Sequence, residues 1–252
     1  AVRITTDGTL SYDQNLKFGQ ILLSEESSID VSGNGRVEFQ IRGEQIKVQD
    51  NSIITGQSLG DKDGGTSIIK ASESIKVEAT KPLENNIPLT LDTGGTTRSF
   101  KKIPSLIIVN TFGKGDVGDL TVEAESLTLQ GIAVISTPTY GEGTAGNITI
   151  YAREIEIISK SPESEKLGSR ITAEAKKESK GAAGTITINT ETLNLRNEAE
   201  ITVKSDTPEP AGDLIINSNN IRLENQASLQ AEIQAGDEGS ITINNNKDLI
   251  LR

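Results

Sequence analysis

The carboxylates of Glu154 and Glu156 stand two residues apart, with Arg153 beside them. In a strand, residues i and i+2 share a face. That spacing is the kind a glycosidase uses, with one carboxyl protonating the leaving group and the other acting as base or nucleophile. The same spacing builds an ordinary solvated strand face, and that is the reading expected here. The neighbouring polar positions Asp119, Glu123, Asn147, Tyr151, Asn189, Asp213 and Asn217 keep the two aspartates far apart in the sequence. They do not gather the acidic groove of a polysaccharide lyase or hydrolase, so no enzymatic activity is expected.

A second candidate is Asp61-Lys62-Asp63-Gly64-Gly65, which opens like a calcium loop. An EF-hand also needs a ligand at its fifth position and a bidentate Glu at its twelfth. Those positions are Gly65 and Ser72, so a polar turn is expected. The 252 residues include no His, Cys, Met or Trp. The common zinc, copper and haem ligand sets therefore cannot be assembled, nor can thiol or Ser-His-Asp nucleophiles. No cofactor is expected. Lys and Arg number 25 against 36 Asp and Glu, a formal charge of −11. That balance disfavours nucleic acid and anionic membranes, both of which reward cationic surfaces. No apolar run reaches the roughly 20 residues of a membrane span.

These polar residues sit on a repeating frame. From Gly118 the chain places Leu120, Val122, Ala124, Leu127, Leu129, Ala133 and Ile135. From Gly146 it places Ile148, Ile150, Ala152, Ile155 and Ile157, and from Gly184 it places Ile186, Ile188, Thr190, Leu193, Leu195, Ala199 and Ile201. Gly212 begins Leu214, Ile216, Ser218, Ile221, Leu223, Ala227 and Leu229, and Gly239 begins Ile241 and Ile243, with Leu249 and Leu251 one residue late. Upstream, the frame fits Phe39 to Ile54, then Gly65 to Val77 with one residue stretched, and more loosely Leu16 to Ile29. Gly118 to Gly146 and Gly184 to Gly212 are each 28 residues.

Within each repeat the alternation has the period of strands, not helices. Phase resets mark corners, giving three short segments per repeat. Segments this short cannot bury an apolar side alone, and stacking successive repeats solves the problem. The fold expected is all-β: a right-handed parallel β-helix with three strands per coil and about eight coils, about 40 Å long at the spacing of paired strands. Only 34% of residues are hydrophobic and 3% aromatic, fewer large side chains than an ordinary globule carries and close to a disordered composition, so the repeat pattern decides. All seven prolines fall outside the expected segments, as ladder hydrogen bonding requires. A single domain over 1–252 is expected, as a segment of a longer protein, since Ala1–Thr6 already alternates and Leu249–Leu251 stops within a coil.

The stretches Thr111-Phe112-Gly113-Lys114-Gly115-Asp116-Val117-Gly118 and Thr139-Tyr140-Gly141-Glu142-Gly143-Thr144-Ala145-Gly146 look like one recurrent element. From about residue 35 onward, the chain resembles filamentous haemagglutinin-like exoproteins of the two-partner-secretion type, particularly large cyanobacterial ones. The resemblance implies a secreted or outer-surface fibrous protein that mediates adhesion or forms a coat, exported through an outer-membrane pore. That family's secretion domain carries Asn-Pro-Asn motifs. This chain has no Asn-Pro step, so that domain is not assigned to it.

Two insertions interrupt the frame at the same corner, near 78–103 and 158–170. Val77 to Ile107 spans 30 residues and Ile157 to Ile171 spans 14, where the frame takes 6. The longer holds Leu89 and Leu91 in an apolar alternation and the cations Arg98, Lys101 and Lys102. The shorter holds Lys160 and Lys166. Because loops on rigid scaffolds carry much binding, these seven residues are the candidate patch for a host or neighbouring-cell glycan or protein. The bland reading is solvated loops covering the flank. The ranks Thr121, Thr149, Thr187 and Thr242 are interrupted by Ile215 and fit exposed strand positions, not ice binding. Two further readings are a β-helix that binds or degrades polysaccharide and an inert spacer.

Overall fold

The computed structural model describes residues 2–4, 10–12, 17–79, 105–159, 168–234 and 239–252. Every regular element among them is a strand. Strands β1 (Val2–Ile4) and β2 (Leu10–Tyr12) pair antiparallel, with Val2 opposite Tyr12 and Ile4 opposite Leu10. Within the alternating stretch, the described residues Val2–Ile4 belong to this local antiparallel pair.

From there the chain alternates between two sheets. One contains β3 (Ile21–Leu23), β5 (Gln40–Gln49), β7 (Ser67–Ala79), β9 (Leu120–Gly131), β11 (Ile148–Ser159), β13 (Ile186–Arg196), β15 (Leu214–Glu224) and β17 (Ile241–Leu251), in that spatial order. The other contains β4 (Ser28–Asp30), β6 (Ile53–Ser58), β8 (Ser105–Thr111), β10 (Ala133–Ser136), β12 (Arg170–Ala175), β14 (Glu200–Ser205) and β16 (Ser228–Ile233). All pairings within both sheets are parallel. This is the arrangement of a parallel β-solenoid.

Among the described residues, the expected third strand is absent as a separate element. The first two segments of the frame run together as one strand of the eight-stranded sheet, and the last segment supplies the seven-stranded sheet. The register is the one the frame requires. Ile150 pairs with Val122 on one side and Ile188 on the other, and Ile188 pairs with Ile216. Ile155 lies between Leu127 and Leu193, and Ile171 between Ile135 and Ile201. These side chains form one continuous buried core. The stretched copy is a bulge between Lys70 and Ser74, and the late Leu249 follows an irregularity opposite Ser218 and Asn220. Pro138, Pro208 and Pro210 lie outside the strands.

The chain between the short strand and the next long one is not a strand, yet its backbone still bonds from coil to coil. Tyr140 N donates to Thr111 O, Glu142 N to Gly113 O and Lys180 N to Gly141 O, each at 2.9 Å. Here lies the reason for the glycines. A methyl group on Gly146 would stand 2.1 Å from Gly118 O, one on Gly184 2.1 Å from Gly146 O, and one on Gly212 2.1 Å from Gly184 O. Of this column only Gly118 has a positive φ, of 52°. Glycine at the start of each coil is therefore demanded mainly by close backbone packing and less by torsion. Phe112 and Tyr140 stack at 4.8 Å on the same wall. Val117, Ala145 and Ala211, each just before a column glycine, are buried there.

The corner between long and short strands is a two-residue turn with both φ values positive. It is made by Glu25-Glu26, Asp50-Asn51, Asn197-Glu198 and Asn225-Gln226. Asn and Asp tolerate this left-handed conformation best among residues with a side chain. Asn225 Nδ2 also donates to Asn197 Oδ1 at 2.9 Å. On the opposite face of the seven-stranded sheet, Ile53, Leu106, Ile108 and Val134 form a second, smaller apolar cluster.

Candidate functional site

Pairing brings Arg42, Lys70, Glu123, Tyr151, Asn189, Asn217 and Asn244 into one rank on the face of the long sheet away from the core. Immediately after this rank, at Ala71, Ala124, Ala152 and Thr190, the in–out alternation of each strand resets. Small side chains at this reset line a shallow groove of about 540 Å³ crossing β7, β9, β11 and β13. Its rims are the rank itself and the residues that follow the reset, Glu125, Arg153 and Glu191.

Charges in the groove are largely satisfied by one another. Lys70 pairs with Glu123 across adjacent strands. Arg153 Nε donates to Glu125 Oε2 at 3.2 Å and its Nη1 to Glu154 Oε1 at 2.6 Å. Its hydrogen bonds to the Glu125 and Glu154 carboxylates hold the guanidinium pKa above its ordinary value. Beyond the ion pairs an amide ladder begins. Asn217 Nδ2 donates to Asn189 Oδ1 at 2.9 Å, and Asn244 Nδ2 to Asn217 Oδ1 at 2.8 Å. The amide nitrogens of Asn217 and Asn244 each address the preceding coil, and Asn189 stands next to Tyr151 in the rank. The Tyr151 side chain, 50% exposed, stands where ion pairs give way to amides.

The other sequence candidates resolve differently. Glu154 is bound by Arg153, while Glu156 Oε1 accepts from Arg196 Nη2 at 2.9 Å. The two carboxylates are thus divided between two guanidinium groups on an open face. Asp63 Oδ1 accepts the backbone N–H of Asp116 at 3.1 Å, and Asp116 Oδ1 accepts that of Thr144 at 2.8 Å. These aspartates tie one coil to the next, as turn residues do. Among the described residues, no group of three or more Asp, Glu, His or Cys could hold a metal ion. Likewise, no helix is long and apolar enough to cross a membrane. Thr121, Thr149 and Thr187 share a rank, broken at Ile215 and resumed at Thr242.

Leu89, Leu91, Arg98, Lys101, Lys102, Lys160 and Lys166 lie outside the described residues. The roots of the two insertions are described. Ala79 and Ser159 both pair with Gly131, one from each side. The insertions therefore start from strands separated by β9 alone, about 10 Å apart.

Sequence reasoning placed Tyr151 and Asn189 on one outward face without marking them as a site. The signal available was the small residue recurring at Ala124, Ala152 and Thr190, where the alternation resets. Compared with known proteins, the chain matches no family model, no curated protein and no solved structure.

Proposed function

We propose that the chain is a length of the shaft of a filamentous haemagglutinin-like exoprotein, secreted or held at the outer cell surface, where it mediates adhesion or builds a coat. In this reading the solenoid is a right-handed β-helix of about eight coils. Parallel strands joined by a crossover are right-handed in nearly all proteins.

One observation carries the proposal: among the described residues, parallel pairing runs unbroken from β3 to β17, with like positions side by side apart from local bulges. Eight strands at the usual spacing span about 34 Å along the stacking direction. Backbone bonds on the two sheets and on the glycine wall all run along that direction, so tension is shared among many ladders. Such a body provides reach and stiffness. Absence of cysteine suits export of an unfolded chain through an outer-membrane pore, because no disulfide can form to block passage.

Antibodies raised against the purified chain test the reading on intact producing cells. Gold label on the outer surface, or antigen in the medium, with loss of the label after external protease, is the expected result. Antigen found only after lysis contradicts it.

A further inference from the structure

We propose that the groove around Tyr151 is a subsite for a neutral hexose oligosaccharide, with the Tyr151 ring stacking on one pyranose and the Asn189 amide donating to its hydroxyls. The inference deepens the adhesin reading above by naming a ligand class, and rests on that reading only for its biological setting.

Tyr151 is the one aromatic member of its rank, and its side chain is half exposed. A pyranose has a face of C–H groups and an edge of hydroxyls. It therefore needs an exposed apolar plate beside fixed hydrogen-bonding groups. The groove supplies both. The rank fixes the Tyr151 backbone between Glu123 and Asn189 in neighbouring strands. Asn189 is the neighbour of Tyr151 in the adjacent strand, and its oxygen is engaged by Asn217, which leaves Nδ2 as the donor for a ligand. Asn189 is thus preorganised by a ladder of amides that continues to Asn244.

Charge selects against acidic sugars. Lys70 is neutralised by Glu123, and Arg153 by Glu125 and Glu154. Glu191 adds a further carboxylate to the rim, and the chain as a whole carries −11. A uronate or sulfated chain would meet net repulsion and, among the described residues, no uncommitted cation lining the groove. A neutral chain pays no such penalty, and the paired carboxylates still offer acceptor lone pairs to its hydroxyls. The groove crosses four strands, about 14 Å from first to last, so it accepts a short oligosaccharide lying along the stacking direction.

The test is titration calorimetry and saturation-transfer NMR on the whole 252-residue chain. Probes are neutral gluco-, manno- and galacto-oligosaccharides, with polygalacturonate and a sulfated glycosaminoglycan for comparison. Binding of a neutral oligosaccharide is expected, with saturation transfer from tyrosine ring protons. Tyr151→Ala should weaken binding about tenfold or more, while Tyr151→Phe stays within about twofold because the ring remains. Asn189→Ala should weaken it by about threefold to tenfold. Absence of any neutral ligand, preference for the acidic polymers, or unaltered binding by Tyr151→Ala each overturns the subsite. None of these results touches the shaft reading, which stands or falls on surface labelling.

Discussion

Asn217 donates its Nδ2 to Oδ1 of Asn189, 28 residues earlier in the chain, at 2.9 Å. The bond joins side chains of identical type at identical positions in successive coils. It therefore stabilises the repeat as a repeat. Asn217 also accepts from Asn244, 27 residues later, so it carries two rungs of the ladder. Asn217→Ala removes both and should cost about 1–2 kcal/mol. For a chain of this length that is about 2–8 °C in melting temperature. Asn246→Ala removes the single rung to Asn219 and should cost visibly less. Equal losses in thermal melts followed by circular dichroism would mean that the ladder is ornamental.

The glycine column predicts a sharper contrast. At Gly146 an added methyl meets backbone, Gly118 O at 2.1 Å, with no flexible side chain to yield. At Gly33 it meets nothing within 4 Å. Gly146→Ala should destabilise by about 3 kcal/mol or more, by forcing two coils apart. Gly33→Ala should stay within about 0.5 kcal/mol. Paired melting curves decide it, and a mild Gly146→Ala would show that the coils do not approach as closely as the structure has them.

The core was legible in the sequence because each apolar position serves one column. Ile69, Val122, Ile150, Ile188 and Ile216 occupy the same frame position and the same rank. Even the stretched copy and the late leucines show as bulges. The fusion of two segments into one strand was not legible. A phase reset marks a change of facing residue equally for a corner and for a bulge or bend within a strand. The glycine wall was half legible. Small apolar residues before the glycines at Val117, Ala145 and Ala211 announce a buried column, but without strand alternation the backbone bonding there has no sequence period. The antiparallel pairing of Val2 with Tyr12 was hidden, because alternation alone does not reveal strand direction. The groove escaped because its floor is defined by what is missing, the side-chain bulk at Ala124 and Ala152.

Electrostatics predict a pH dependence centred on Glu78. Burial opposes its charge, but hydrogen bonds from Lys47 and Lys76 outweigh this and hold its pKa below the ordinary carboxylate value. Both ammonium groups lie 2.7 Å from its oxygens. A carboxyl depressed on folding adds stability that is complete above the unfolded pKa. That stability is lost as pH falls through the lower, folded value. Glu78→Gln should therefore lower the melting temperature at pH 7, at a cost of about 1 kcal/mol for a largely covered carboxylate paired with two partly exposed lysines. It should also reduce the fall in stability of the parent chain below the usual carboxylate range. Parallel acid-side melting profiles for the two proteins would contradict the role given to Lys47 and Lys76.

The central claim is that the chain returns to the same wall once per repeat and sets like side chains side by side. Methyl NOE spectroscopy on protein labelled at the isoleucine δ1 position tests this most directly. Ile150, Ile188 and Ile216 are buried in consecutive parallel strands, with neighbouring strands about 4.8 Å apart. Strong cross-peaks between Ile150 and Ile188 and between Ile188 and Ile216 are expected, with the Ile150–Ile216 peak far weaker or missing. Ile188 showing contacts to neither partner, or strand neighbours that run antiparallel, would contradict the stacked architecture and everything built on it.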